Sequence, residues 1–183
     1  MEHTEKEWAS PLHIFLIGFM GSGKSSVAEE LSKRLGRERM EMDGQIVQEQ
    51  GMAITEIFDK YGEAYFRGLE TDLLRRLGQR KPTVVSCGGG VPMRQENVDV
   101  MKASGRVVLL TASPQTIYDR VKDSTERPIL NQNMSVEFIA QLMEQRREKY
   151  QAAADLVIET DEKDLDTICK KILQKLRAAE DSE

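Results

Sequence analysis

GFMGSGKS, residues 18–25, follows directly on the apolar run LHIFLI at 12–17 and opens the helical pattern of residues 24–35; this junction decides the fold. The eight residues satisfy in full the pattern glycine, any four residues, glycine, lysine, serine or threonine. Its three glycines, Gly18, Gly21 and Gly23, let the backbone wrap until successive N–H groups point at phosphate oxygens. The helix that starts near Lys24 adds the positive end of its dipole. Lys24 is then placed to reach the β and γ phosphates of a nucleoside triphosphate, and the Ser25 hydroxyl to hold Mg²⁺. The plainer alternative is a glycine-rich turn that only joins strand to helix, and a Lys-Ser pair in register with both elements argues against it.

Outward from this loop the pattern repeats. Short apolar runs at 83–87 (TVVSC), 106–111 (RVVLLT) and 156–159 (LVIE) alternate with helical segments, and a weaker strand signal lies at 39–42. Alternation of this kind predicts a parallel sheet, and continuous apolarity predicts helices on both of its faces. The expected fold is therefore an α/β three-layer sandwich around a five-stranded parallel sheet. The mostly helical residues 44–79 and the polar residues 122–135 read as insertions, and they emerge beyond the carboxyl ends of strands, where open α/β sheets bind ligands. A last helix over roughly 162–176 reads as structural, with the residues up to 183 frayed.

Composition removes other classes. A chain of 183 residues without repeats suits one domain. No apolar run approaches the roughly 20 residues of a membrane span, so no membrane association is expected. Residues 1–10 are acidic and polar, which is unlike a secretory signal and points to the cytoplasm. Cys87 and Cys169 have no metal-ligand spacing around them and read as free thiols. A net charge of −5 opposes broad nucleic-acid binding and makes individual arginines informative. No heptad seam calls for a partner, so a monomer is expected.

Three clusters bear on the phosphoryl acceptor. Glu41 and Asp43, two apart at the end of the weak strand, face the same way if the backbone is extended, one toward Mg²⁺ and one toward a substrate hydroxyl. Asp43 is alternatively the N-cap of a helix beginning near Gly44. GEAYFRGLE at 62–70 carries Arg67 within a helical insertion, and the run Gly88, Gly89 and Gly90 follows the third strand, where a ligand or another backbone comes close.

Taken together and in order, GFMGSGKSS, MEMDGQI, ITEIFDKYGEAYFRGLE, VVSCGGG, TERPIL and LMEQRREKY resemble the shikimate kinase family from residue 12 to at least 150. The resemblance implies the fold of the nucleoside-monophosphate kinase group, with a core (11–42, 80–121 and 136–178), a substrate-binding region (43–79) and a lid (about 122–135). It implies ATP as donor, Mg²⁺ as cofactor and the 3-hydroxyl of shikimate as acceptor. By the same resemblance Gly21, Ser22, Gly23, Lys24, Ser25 and Ser26 bind the nucleotide, and Arg120 lies against the adenine. Asp43 would bind the ring hydroxyls and accept the 3-hydroxyl proton, and Arg67 and Arg146 would hold the substrate carboxylate. Gly88, Gly89 and Gly90 would admit the substrate to the backbone, while Arg127 in the lid would close over the phosphates.

Arg147 competes with Arg146, and the family spacing to Met143 and Tyr150 favours the earlier residue. The chain departs from the family in two places. Glu41 replaces the usual Asp, moving the carboxylate by about 1.5 Å, and Val47 stands where an acidic residue is common. A kinase of the same fold acting on gluconate or a nucleotide, and a regulatory module that binds nucleotide without catalysis, are the competing readings.

Overall fold

A computed structural model describes residues 8–123 and 134–183. Five strands, β1 (His13–Ile17), β2 (Glu38–Glu41), β3 (Thr83–Ser86), β4 (Gly105–Thr111) and β5 (Leu156–Glu159), form one all-parallel sheet in the order β2-β3-β1-β4-β5. The helices among the described residues are α1 (Lys24–Leu35), α2 (Met42–Gln50), α3 (Ile54–Tyr61), α4 (Glu63–Leu77), α5 (Gln95–Ser104), α6 (Pro114–Val121), α7 (Val136–Ala153) and α8 (Leu165–Glu180), with one 3₁₀ turn at Val91–Met93. No described helix is long and apolar enough to cross a membrane.

Side chains alternate across a strand, so each central strand feeds two cores. Phe15, Ile17, Val85, Val107 and Leu109 point to one face, where Met42, Ile46, Leu74, Met101, Ile139 and Cys87 join them. Ile14, Leu16, Val84, Val108 and Leu110 point to the other, against Val27 and Leu31 of α1 and Ile168, Cys169, Ile172 and Leu176 of α8. That double burial explains the unbroken apolar runs of the sequence. Both cysteines are buried, free thiols, one in each core.

The amino ends of the strands are tied by two polar side chains. His13 Nδ1 accepts the backbone N–H of Thr83 at 3.0 Å, joining β1 to β3. Burial and the Arg37 charge hold its imidazole below the usual histidine pKa, against the bonds to the backbone of Leu77 and Thr83. Arg37 donates to the carbonyls of Leu12 (2.8 Å), Ser10 (2.6 Å) and Trp8 (3.0 Å), and its guanidinium carbon stands 4.7 Å from the Trp8 ring. One planar fork thus fastens the segment that leads into β1.

Three sequence-based expectations change. The weak strand ends at Glu41, and Met42 and Asp43 already belong to α2, so the extended geometry that aligned Glu41 with Asp43 does not hold. Glu41 occupies the N-cap position (φ −93°, ψ 112°), and Asp43 lies in the first helical turn, where a negative charge meets the positive end of the dipole. Asp43 is therefore not the N-cap. The last helix begins at Leu165 behind its cap Asp164, which accepts the Thr167 N–H at 2.7 Å, and runs on to Glu180. Beyond its end, Glu183 Oε2 accepts from Arg106 Nη2 at 2.6 Å.

Candidate functional site

At the carboxyl end of β1 the chain turns through Gly18 (φ 148°), Gly21 (φ 78°) and Gly23 (φ 99°) before entering α1. Gly23 has open space around it and is required only for its backbone angle. Gly18 is required for both reasons, because a methyl there would stand 2.5 Å from the Leu110 carbonyl and 2.8 Å from Ser22 Oγ. The Ser22 N–H donates to Phe19 O at 3.1 Å and closes the loop. Lys24 Nζ folds over it, donating to Gly18 O at 2.6 Å and Phe19 O at 3.3 Å. Its charge is therefore held above the loop that would cradle phosphates.

Ser25 and Ser26 are exposed at the start of α1. The Ser25 hydroxyl donates to Glu41 Oε2 at 3.1 Å, so the longer side chain at position 41 reaches the phosphate loop directly. Glu41 Oε1 is buried and has no hydrogen bond among the described residues, and the same holds for Ser22 Oγ. Arg120 on α6 crosses the mouth of the loop, donating to Gly21 O at 3.0 Å and Thr160 Oγ1 at 3.5 Å. Thr160 in turn donates to Thr111 O at 2.9 Å, which fixes the strand ends beneath it.

The second half of the site is built on the glycine triplet after β3. None of Gly88, Gly89 and Gly90 has a positive φ, so backbone conformation does not demand glycine here. Space does. A methyl on Gly88 would lie 2.9 Å from Asp43 Oδ1 and 3.0 Å from Glu70 Oε2. On Gly89 it would lie 3.2 Å from Arg146 Nη1, and on Gly90 2.4 Å from Arg67 Nη1. The expectation was that a ligand or another backbone comes close at this triplet. What comes close is four charged side chains from α2, α4 and α7, gathered over three residues without side chains of their own.

Each cation is oriented. Arg67 donates through Nη1 to Glu70 Oε1 at 2.7 Å, and through Nη2 and Nε to Glu63 Oε1 at 3.3 and 3.4 Å. Arg146 lies between the Phe19 ring, 5.8 Å from its guanidinium carbon, and Tyr150, whose hydroxyl is 3.5 Å from Nη1. The Tyr150 hydroxyl donates to Gly89 O at 2.7 Å, and burial pushes its pKa up against the pull of Arg146. Arg147 turns away and pairs with Glu144 at 2.8 Å on the outside of α7. Behind the triplet, Thr71 Oγ1 donates to Asn97 Oδ1 at 2.7 Å and Asn97 Nδ2 to Val91 O at 2.9 Å, a buried link between α4 and the triplet loop.

Glu70 is completely buried, and burial raises its pKa to about 7, opposed by the bond and charge of Arg67 and reinforced by Asp43. Its Oε2 makes no hydrogen bond among the described residues. Burial also pushes the adjacent Cys87 thiol well up, which keeps it protonated and unreactive. Glu70 and Tyr150 were inside the quoted motifs without a role. Their signals were present: Glu70 follows Arg67 by three residues and Tyr150 follows Arg146 by four, the spacings that meet on a helix face. Arg127 and most of the lid segment 122–135 lie outside the described residues. Among the described residues, no group of three or more His, Cys, Asp or Glu gathers to hold a metal.

With that geometry in hand, comparison with known proteins is specific. The family model described as shikimate kinase matches residues 20–177. A shikimate kinase of Dehalococcoides mccartyi is 38% identical over 93% of this chain and 96% of its own length. One from Geobacter sulfurreducens is 41% identical over 90% and 91%. Among solved structures, shikimate kinase from Acinetobacter baumannii in complex with shikimate aligns with a TM-score of 0.87 at 32% identity, covering 93% of this chain and 95% of that one.

Proposed function

The chain belongs to the shikimate kinase family, and on that premise we propose that it transfers the γ-phosphoryl group of ATP to the 3-hydroxyl of shikimate, a step of aromatic amino acid biosynthesis. The observation that carries this reading is the convergence of Arg67 and Arg146 on the glycine triplet beside Asp43, one residue-layer from the phosphate loop. Two guanidinium forks match a carboxylate, and a carboxyl oxygen facing the same notch matches a ring hydroxyl.

Arg67 and Arg146 hold the acceptor carboxylate, and Gly88, Gly89 and Gly90 let the ring sit against the backbone. Asp43 binds the ring hydroxyls and takes the proton that leaves the 3-hydroxyl as its oxygen bonds to the γ phosphorus and the bond to ADP breaks. On the donor side, Gly21, Ser22, Gly23 and Ser26 wrap the phosphates, and Arg120 lies against the adenine. Lys24 exchanges its carbonyl partners for the β and γ phosphates. The residues fit Mg²⁺: Ser25 would hold it, supported by Glu41, whose buried and unpartnered Oε1 suits a neighbouring cation. When bound, the ion neutralises charge between the β and γ phosphates. Arg127 is assigned to closing over the phosphates, in a domain divided into core (11–42, 80–121, 136–178), substrate-binding region (43–79) and lid (about 122–135). We place the enzyme in the cytoplasm as a monomer.

The test is ADP release by purified protein with Mg²⁺ and ATP across an acceptor panel of shikimate, gluconate and nucleoside monophosphates. Release that depends on shikimate supports the assignment. A higher rate with a nucleotide, or ATP binding without any acceptor affinity, overturns it.

A further inference from the structure

We propose that Tyr150 and Phe19 are positioning residues of the acceptor site: they hold the Arg146 guanidinium between a hydroxyl and a ring, set for a carboxylate and with its charge undiminished. The proposal rests on the assignment of the acceptor carboxylate to Arg67 and Arg146.

The two arginines over the glycine triplet are oriented by opposite means. Arg67 is tied to two carboxylates, Glu70 at 2.7 Å and Glu63 at 3.3 Å, which already answer much of its charge. Arg146 pairs with no carboxylate among the described residues, although its neighbour Arg147 takes Glu144. A long side chain without a partner samples many rotamers, and a ligand that needs one of them must order it at a cost. A second ion pair would have fixed the Arg146 fork, but its carboxylate would have met the incoming one with like charge. A hydroxyl and an aromatic ring fix the fork without adding negative charge.

Tyr150 suits this role by position and by chemistry. It follows Arg146 by four residues on α7, so the two side chains meet on one helix face. Its ring is buried in the core beneath, which accounts for the ring but not for where the hydroxyl points. That hydroxyl uses both of its capacities, donating to Gly89 O at 2.7 Å and accepting from Arg146 Nη1 at 3.5 Å. It therefore sets the height of Arg146 above the middle glycine. The clearance is small: a methyl on Gly89 would stand 3.2 Å from Arg146 Nη1 and 3.6 Å from the Tyr150 oxygen.

Phe19 closes the other side. It is buried, and its ring centre lies 5.8 Å from the Arg146 guanidinium carbon, within the range at which an aromatic face attracts a cation. As the second residue of the phosphate loop it occupies a position the loop pattern leaves open, so phosphate binding does not call for an aromatic there.

The test is a double-mutant cycle on the full-length protein, read as KM and kcat/KM for shikimate in ADP release. Tyr150→Phe keeps the ring and deletes the hydroxyl. It is expected to raise KM for shikimate on the order of tenfold, the effect of one lost hydrogen bond, with kcat and KM for ATP near the wild-type values. Phe19→Leu stays apolar and removes the ring face, and a rise of about threefold is expected. In an Arg146→Ala background both substitutions are expected to leave kcat/KM unchanged, because the side chain they position is gone. Effects that persist undiminished in that background come from packing and overturn the proposal, as does a wild-type KM for shikimate in both single variants. The Phe19 arm reads the same outcome independently, so the cycle decides even where Tyr150→Phe does not fold. A wild-type protein that releases no ADP with shikimate overturns the acceptor assignment, and this proposal with it.

Discussion

The two ends of the sheet use buried polar groups in opposite ways. At the amino end, His13 and Arg37 are occupied: one ring nitrogen accepts from Thr83, and one guanidinium binds three carbonyls. At the carboxyl end, Ser22 Oγ, Glu41 Oε1 and Glu70 Oε2 are buried oxygens with no hydrogen bond among the described residues. A buried polar atom without a partner costs about 1–3 kcal/mol. These are the buried oxygens left without a bond, and they lie where ligands would bring cations, hydroxyls and protons; the buried nitrogens left without one among the described residues belong to Trp8 before β1, Arg106 in β4 and Arg177 in α8. The bonds of His13 and Arg37 hold the fold together, and the unpartnered oxygens lie on the face assigned to ligands.

If this division is right, substitutions at the two ends separate activity from stability. The largest effect is expected for Asp43→Asn, a fall in kcat of about 10²–10⁴ with the thermal midpoint unchanged or raised, read by ADP release and calorimetry. A comparable loss of stability would break the comparison. Arg67→Ala is expected to raise KM for shikimate by about 10²-fold with a smaller effect on kcat, since it removes ground-state binding and leaves Glu70 buried alone. Arg37→Ala works in the other direction, lowering unfolding free energy by about 2–3 kcal/mol in a urea titration while kcat stays the same. Gly90→Ala pushes the Arg67 fork aside without touching the core, and a severalfold rise in KM at nearly wild-type stability is the outcome to look for.

The smallest effect is a pH slope. The folded pKa of His13 is lowered, so the unfolded chain binds the proton more readily. Its contribution to stability is present above the unfolded value of about 6.5 and is lost as pH falls below it. His13→Gln, which keeps an acceptor for the Thr83 N–H, is expected to flatten the decline in urea midpoint between pH 7.5 and 5.5. An identical decline in both proteins would remove His13 from the account.

The donor half of the site was legible in the sequence because its chemistry is local: eight consecutive residues supply the turn, the charge and the hydroxyl. The sheet was equally legible, since strands buried on both faces leave unbroken apolar runs. β2 was read less well because it is a short edge strand with exposed charges at Glu38 and Arg39, and that placed Asp43 on an extended backbone instead of a helical turn. The triplet was legible as a place of close approach, and the side chains that crowd it were not. Glycine at 88–90 is crowded by side chains that arrive from positions 43, 67, 70 and 146, and no local pattern reports contacts between residues so far apart in sequence. Glu70 escaped notice for a related reason. A glutamate on a helix is ordinarily solvated, and only the fold shows this one sealed behind Arg67.

Cys87 and Cys169 sit on opposite faces of the sheet, each free and each shielded by one of the two cores. A thiol-reactive dye therefore meets neither until the layer covering it opens, and labelling rates resolved by peptide mapping would time the two faces separately. Matching rates would mean that the sandwich comes apart as one cooperative unit. Faster labelling at Cys87 would mean that the face carrying the acceptor site breathes on its own. The chain thus carries its own pair of clocks.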